Sequence, residues 1–329
     1  MAKRKYLPKS KKVQPVPLKL NYTIESGTNT SYIDLAKDVS VLARKFIRQG
    51  KLFAVANVRV TMPAASSTVG NSVYLSGMQN TWTVSNAWHK AFAMWRRQQD
   101  EAVEASGSES AVARYRDFKI FLDAQHRTSG NLRPVNLGPG AQQGPFQGPI
   151  VTSARPLEGE WEYSQIVIPN DGSPGVTNEY YLFMHGFEGS GTDKSIIHGY
   201  AQSRSLPQRV APATPIGAVE TSWMNNMFDV GDDNDEVVQN ALYHNDALPY
   251  DQDEYPGGMT NYVDPENKAW CLNKSTVGVN TFNLGAMVLP CGLLRIDQLY
   301  SATGGDLVIE IELLPGHDRG YALADMQDM

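Results

Sequence analysis

The run Asp306-Leu-Val-Ile-Glu-Ile-Glu-Leu-Leu sets Leu307, Ile309, Ile311 and Leu313 on one side of an extended chain and Glu310 and Glu312 on the other. A side-chain period of two describes a strand; apolar positions of a helix recur every three or four residues. One face of such a strand has to be covered, so the fold must supply a second apolar layer. The same alternation or a β-branched run recurs at 18–24, 52–61, 73–75, 160–168, 179–185, 276–284 and 291–298. In 160–168 it sets Trp161, Tyr163, Gln165 and Val167 on one face. Pro315-Gly316 closes the last run, and 28 glycines with 19 prolines favour turns over long helices. There is no βα alternation and no internal repeat, which excludes Rossmann and barrel α/β folds. The expectation is an all-β fold, a single jelly-roll (an eight-stranded antiparallel β-sandwich) with long loops.

Helical spacing is confined to the first half. A short helix is expected over about 32–49, with Gly50 as its cap, and a clearer one over 85–104. In the second, Ser85 is the candidate N-cap and Trp88, Phe92 and Trp95 lie along one face. A polar linker leads to a third, over 110–124, with Tyr115, Phe118 and Leu122 as its stripe. The last two are expected to pair as a helical insertion over about 85–124. The Gly/Pro/Gln-rich stretch 138–149 reads as an irregular loop.

The net charge of −6 conceals a division. Residues 1–24 carry seven cations and no carboxylate, which leaves −13 on the remainder. Residues 1–17 are polar, proline-bearing and dense in like charge, and read as a flexible basic arm; 18–329 read as the sandwich domain. Lys3, Arg4, Lys5, Lys9, Lys11 and Lys12 are the candidate nucleic-acid contacts. Each displaces a counterion from a phosphate backbone without reading sequence. The same composition serves as a nuclear import signal or as a solubilising tail.

Catalytic and metal motifs are missing. Gly138-Pro-Gly lacks the spacing and the following helix of a phosphate loop, and Gly189-Ser-Gly is not a nucleophile elbow. His89, His126, His185, His198, His244 and His317 are scattered, and Cys271 and Cys291 are too far apart for a zinc pair. Two reduced, packed cysteines are the plainer reading, with a cross-strand disulfide as the alternative. The best cation candidate is Asp232, Asp233, Asp235 and Glu236, which lack the calcium loop's glycine and terminal glutamate and fit a solvated acidic loop better. No cofactor is expected. No run approaches the roughly 20 apolar residues of a membrane span, and no apolar stretch follows the basic start as in a signal peptide, so the chain is expected to stay where it is made.

A basic start from Lys3 to Lys12, then strands separated by long loops, then Leu314-Pro-Gly-His-Asp-Arg-Gly-Tyr, resembles the capsid proteins of small circular Rep-encoding single-stranded DNA viruses, the environmental type in particular. The resemblance is one of layout and covers the whole chain. It implies a non-enzymatic protein that self-assembles into an icosahedral shell, packages single-stranded DNA through its arm, and meets a host import receptor before assembly in the nucleus. The chain departs from that family in its short basic run and its large Trp-bearing insertion. Single-stranded RNA is the alternative cargo. The competing reading is a carbohydrate-binding, lectin-like or adhesin-like β-sandwich, with Trp161, Trp223 and Trp270 as loop aromatics on sugar. A jelly-roll enzyme ranks third, for want of an acid–base or metal constellation.

Overall fold

The computed structural model describes residues 14–27, 29–66, 69–107, 117–135, 161–169, 177–186, 193–204, 265–300 and 305–326. Two largely antiparallel sheets enclose the main core. The first runs β1 (Lys19–Ile24), β12 (Leu307–Leu313), β3 (Lys51–Met62), β10 (Met287–Pro290), with β9 (Asn280–Asn283) and β14 (Leu323–Asp325) also on β3; the short β13 (Pro315–Asp318) precedes β14. The second runs β2 (Asn29–Asp34), β11 (Leu293–Leu299), β4 (Asn71–Gly77), β8 (Glu266–Asn273). Leu307, Ile309, Ile311 and Leu313 are buried as their alternation requires, against Leu20 and Tyr22 of β1 and Ile33, Leu75, Leu294 and Ile296 of the facing sheet. The fold is a β-sandwich.

β3 is long enough to hold two partners end to end. Asn280–Asn283 pair with its second half and Met287–Pro290 with its first. Between them Leu284 N donates to Val58 O and Val58 N to Gly285 O, so β9 and β10 are two halves of one interrupted strand. The interruption lies close to a bulge: Glu312 faces Asn57 but Leu313 faces Val55. The extra residue switches the inward phase, so Phe53 and Val55 are buried before it and Val58, Val60 and Met62 after it.

A second layer is built from the chain between β4 and β8. It contains α2 (Trp82–Ala105), α3 (Ala124–Ser129), α4 (Ile196–Arg204) and a third sheet of β5 (Gln165–Pro169), β6 (Thr177–Phe183) and β7 (Asp193–Ser195). Its β6–β7 pair is parallel. Trp88 and Trp95 of α2 are buried against Phe118 and join Leu182, Ile196, Cys291 and Met326 in a separate core.

Several expectations are corrected. The helix expected over 32–49 starts later, as α1 (Leu35–Ala43), because Tyr32 and Ile33 are claimed by β2. Asp34 caps it through Lys37 N, and Arg44, not Gly50, is its C-cap. Thr81, not Ser85, precedes α2; the Ser85 hydroxyl donates to Met326 O instead. The helix over 110–124 is not formed at 117–123. There the chain is extended, with Ile120 N on Gln49 Oε1 and Phe121 N on Leu182 O, so no helical hairpin pairs α2 across these residues. The loop expected over 138–149 lies outside the described residues, as do Tyr115 and the rest of 108–116. Residues 14–17, assigned to the arm, lie against the sandwich: Val16 packs on the core and Tyr321 OH donates to Pro17 O. Trp161–Ser164 precede β5 instead of belonging to it. Cys271 and Cys291 are free, buried thiols.

Candidate nucleic-acid interface

The six arm cations Lys3, Arg4, Lys5, Lys9, Lys11 and Lys12 lie outside the described residues; the structure describes the arm's root. At the root, Lys45 Nζ donates to Gln14 Oε1 at 2.6 Å and to Arg319 O at 3.1 Å, tying three distant segments together. Gly320 makes this close approach possible, since a Cβ there would lie 2.7 Å from Val16 Cγ1 and its φ is +108°. Three non-glycine residues among those described have positive φ, and two flank this root: Arg44 (53°) and Arg319 (55°), both exposed. A left-handed L-residue costs roughly 1–2 kcal/mol, so glycine would be the cheaper occupant of either position. Arg44, Lys45 and Arg319 thus set three cations where the basic arm leaves the body.

The adjoining sheet face carries no such surplus. Lys19 Nζ lies 3.1 Å from Glu310 and 3.6 Å from Glu312, and Arg59 lies 3.3 Å from Glu310. Arg59 also donates to Asn283, and Thr61 meets Thr281. Two cations against two carboxylates leave that face without a positive surplus.

A buried polar network fastens the second layer to the sandwich. Asp34 Oδ2 accepts from Gln49 Nε2, Trp161 Nε1 and Tyr163 OH, each at 3.1 Å, and Oδ1 accepts from Lys37 N. Burial raises its carboxyl above the usual range, and these donors oppose that. Asn131 bridges Tyr163 OH and His126 Nε2 at 2.6 and 2.7 Å. Because His126 Nδ1 accepts from Leu122 N, the ring carries its proton on Nε2 and donates to Asn131. Burial pushes His126 down to about 4, so it is neutral, stacked on Tyr32 at 4.5 Å. Tyr32 OH donates to Asp123, which also accepts from His126 N at 2.8 Å and pairs with Arg295 at 3.1 Å. Asp34, Asp123 and His126 are all buried, and the geometry of the network is that of a lock.

The remaining candidates separate clearly. Asp232, Asp233, Asp235, Glu236, Trp223 and His244 lie outside the described residues. Among the described residues no three His, Cys, Asp or Glu side chains gather as a metal ion would require. Trp161 is a packing residue, its indole bound to Asp34 and its ring covered by Lys119 Nζ at 4.6 Å. Trp270 sits on strand β8, not on a loop, and is 57% exposed. His185 is fully buried with neither ring nitrogen hydrogen-bonded, and burial, aided by Lys268, pushes it down to about 3. The root cations escaped sequence reasoning because Lys45 and Arg319 are 274 residues apart. Among the described residues no helix is long and apolar enough to cross a membrane. No family model matches the chain, and neither a curated protein nor a solved structure matches it.

Proposed function

We propose that this chain is a viral capsid protein that assembles into an icosahedral shell around single-stranded DNA. The observation that carries the reading is strand order. With β9 and β10 counted as one strand, the eight sandwich strands in chain order form sheets 1-8-3-6 and 2-7-4-5. The pairs 1·8, 2·7, 3·6 and 4·5 each sum to nine, as in one long antiparallel hairpin rolled so that its arms alternate between sheets. That order supports a single jelly roll, an architecture of viral shells and of lectins. Between those two, the basic arm favours the shell: its root is pinned at the sandwich edge and extended by Arg44, Lys45 and Arg319.

On this reading the arm and its root hold phosphates without sequence preference, and the sandwich with its inserted layer makes the contacts between copies. The arm also serves as the segment a host import receptor reads, so that assembly takes place in the nucleus and the mature protein resides in the virion. The protein performs no catalysis. The test is electron microscopy of the protein expressed alone. Uniform closed particles are expected, with nucleic acid that co-purifies. Deleting residues 2–12 removes six cations and lowers the salt slope of single-strand binding by about 4. A protein that stays monomeric at high concentration and carries no nucleic acid refutes the proposal.

A further inference from the structure

The outer face of the sheet β2–β11–β4–β8 is covered over only part of its area. The lock on Tyr32 and Arg295 covers one end, where Tyr32 stacks on His126 and Arg295 reaches Asp123. One row further along, the register sets Thr30, Asp297, Tyr74 and Trp270 side by side across four strands, a row about 14 Å wide. Tyr74 and Trp270 stack with centroids 6.3 Å apart and planes 17° from parallel. Cross-strand aromatic pairs stabilise sheets on their own account, so the stack alone signifies little. What distinguishes this one is that Trp270 is left 57% exposed, whereas Trp88 and Trp95 are buried and Trp161 is tied to Asp34. Beside the stack, Asp297 is held rigidly, Oδ1 by the Thr30 hydroxyl at 2.7 Å and Oδ2 by Arg295 Nε at 2.9 Å.

A flat aromatic floor with a fixed carboxylate at its side suits a ligand with one apolar face and hydroxyls around its rim. The local charge decides the class. Arg295 is engaged by Asp123 and Asp297, and Lys268 by Glu266, two cations against three carboxylates. A phosphate-bearing strand or a sulfated glycan would meet a negative surplus there, and base stacking on a protein is ordinarily accompanied by a cationic groove. We propose that Tyr74 and Trp270, with Asp297 as the hydroxyl acceptor, bind an uncharged saccharide. The hexose ring lies on the two aromatic rings, and its hydroxyls donate to the carboxylate and accept from the Trp270 indole. The site is separate from the arm and does not depend on the shell reading; on a shell it would attach the particle to neutral glycans.

The test uses the full-length protein, titrated by tryptophan fluorescence and saturation-transfer NMR with lactose, N,N′-diacetylchitobiose and maltotriose, and separately with a ten-residue oligo-thymidylate. Expected is saturable binding of at least one of the three sugars, unchanged between 50 and 500 mM salt to within about twofold because no ion pairs form. Trp270→Ala should weaken it by about tenfold or more, Trp270→Phe by less, and Tyr74→Ala by an intermediate amount. Circular dichroism and melting of each variant establish that the sandwich is intact; Trp270→Phe keeps the test decisive if Trp270→Ala does not fold. Absence of binding by all three sugars, or binding indifferent to both Trp270 variants, overturns the proposal. So does salt-sensitive binding of the oligonucleotide that Trp270→Ala abolishes. Particle formation and the effect of deleting residues 2–12 are read independently, so either reading can fail while the other stands.

Discussion

Acidification should weaken this fold, and His185 isolates the cause. Its ring is fully buried, neither nitrogen has a partner, and burial with Lys268 nearby holds its pKa at about 3. Unfolded, the same ring titrates near 6.5. The unfolded chain therefore binds the proton first. The stability of the neutral ring is intact above pH 6.5 and declines as pH falls from 6.5 towards 3. At pH 5 the loss is about 1.5 units at 1.36 kcal/mol each, roughly 2 kcal/mol. His126, held down to about 4, loses a similar amount by pH 5. Together they remove roughly 4 kcal/mol, a large part of a typical 5–15 kcal/mol stability. Asp34 and Asp117, both raised by burial, act with the opposite sign, taking up protons in the folded state first and gaining relative stability on acidification. A comparison between variants cancels them. His185→Leu should flatten the stability loss between pH 7 and pH 5 by about 2 kcal/mol, measured by urea unfolding at fixed protein concentration. At pH 7 it should be no less stable than the parent, since a site with two unmet ring nitrogens becomes apolar. An unchanged pH slope would refute the claim that this ring is buried and neutral.

Three further substitutions probe the framework. Ile311→Ala, at the centre of β12 with no exposed surface, should cost about 3 kcal/mol in denaturant unfolding. Asp34→Ala strands the donors of Gln49, Trp161 and Tyr163; a loss of about 3 kcal/mol and a red shift of tryptophan emission, as Trp161 is released, are expected. Gly320→Ala meets Val16 and Gln14 O as well as an unfavourable φ. It should speed hydrogen exchange at Leu313 N, which bonds Leu18 O just inside the arm's root, while leaving exchange in β11 unchanged.

The sandwich was legible because its strands carry a two-residue period that no other element imitates, Leu307 to Leu313 above all. The β-branched 52–61 run and 73–75 were equally readable as β3 and β4. The segment 117–122 was not, because Phe118 and Leu122 are four apart while Phe118, Ile120 and Leu122 are two apart, and both periods fit. Gln49 decides it, its amide pairing with both backbone groups of Ile120 as a strand would. Tyr32 and Ile33 posed the same ambiguity; the Asp34 cap was the signal for where the helix begins. The parallel β6–β7 pair spans only three residues on each side, Tyr181–Phe183 with Asp193–Ser195, and left no local mark. The arm was visible as charge alone. Its root was not, since Lys45 and Arg319 are 274 residues apart, nor was the pairing of Tyr74 with Trp270, which strand register makes across nearly 200 intervening residues.

If the chain forms the proposed shell, charge sets genome binding and assembly in opposition. The first 24 residues carry +7 and the rest −13, while the described face beside the arm's root is balanced by Lys19, Arg59, Glu310 and Glu312. A shell of about 60 copies, each with six arm cations, would neutralise only a few hundred phosphates. Closure of such a shell would also bring acidic bodies within a Debye length of about 10 Å at 0.1 M salt. In the proposed shell the arm would assist packaging without driving assembly, and copies would have to cohere through buried surface against their own repulsion. Added salt should weaken the arm's hold on single-stranded DNA, because each released counterion gains less entropy in a saltier solution, yet favour closure of empty shells by screening the bodies. Light scattering of the protein lacking residues 2–12 should therefore show particle yield rising between 50 and 500 mM sodium chloride, while filter binding of the full chain to oligo-thymidylate falls. A yield that falls in parallel with binding would mean that ion pairs between copies hold the shell together, and that the acidic body is not the barrier this charge division implies.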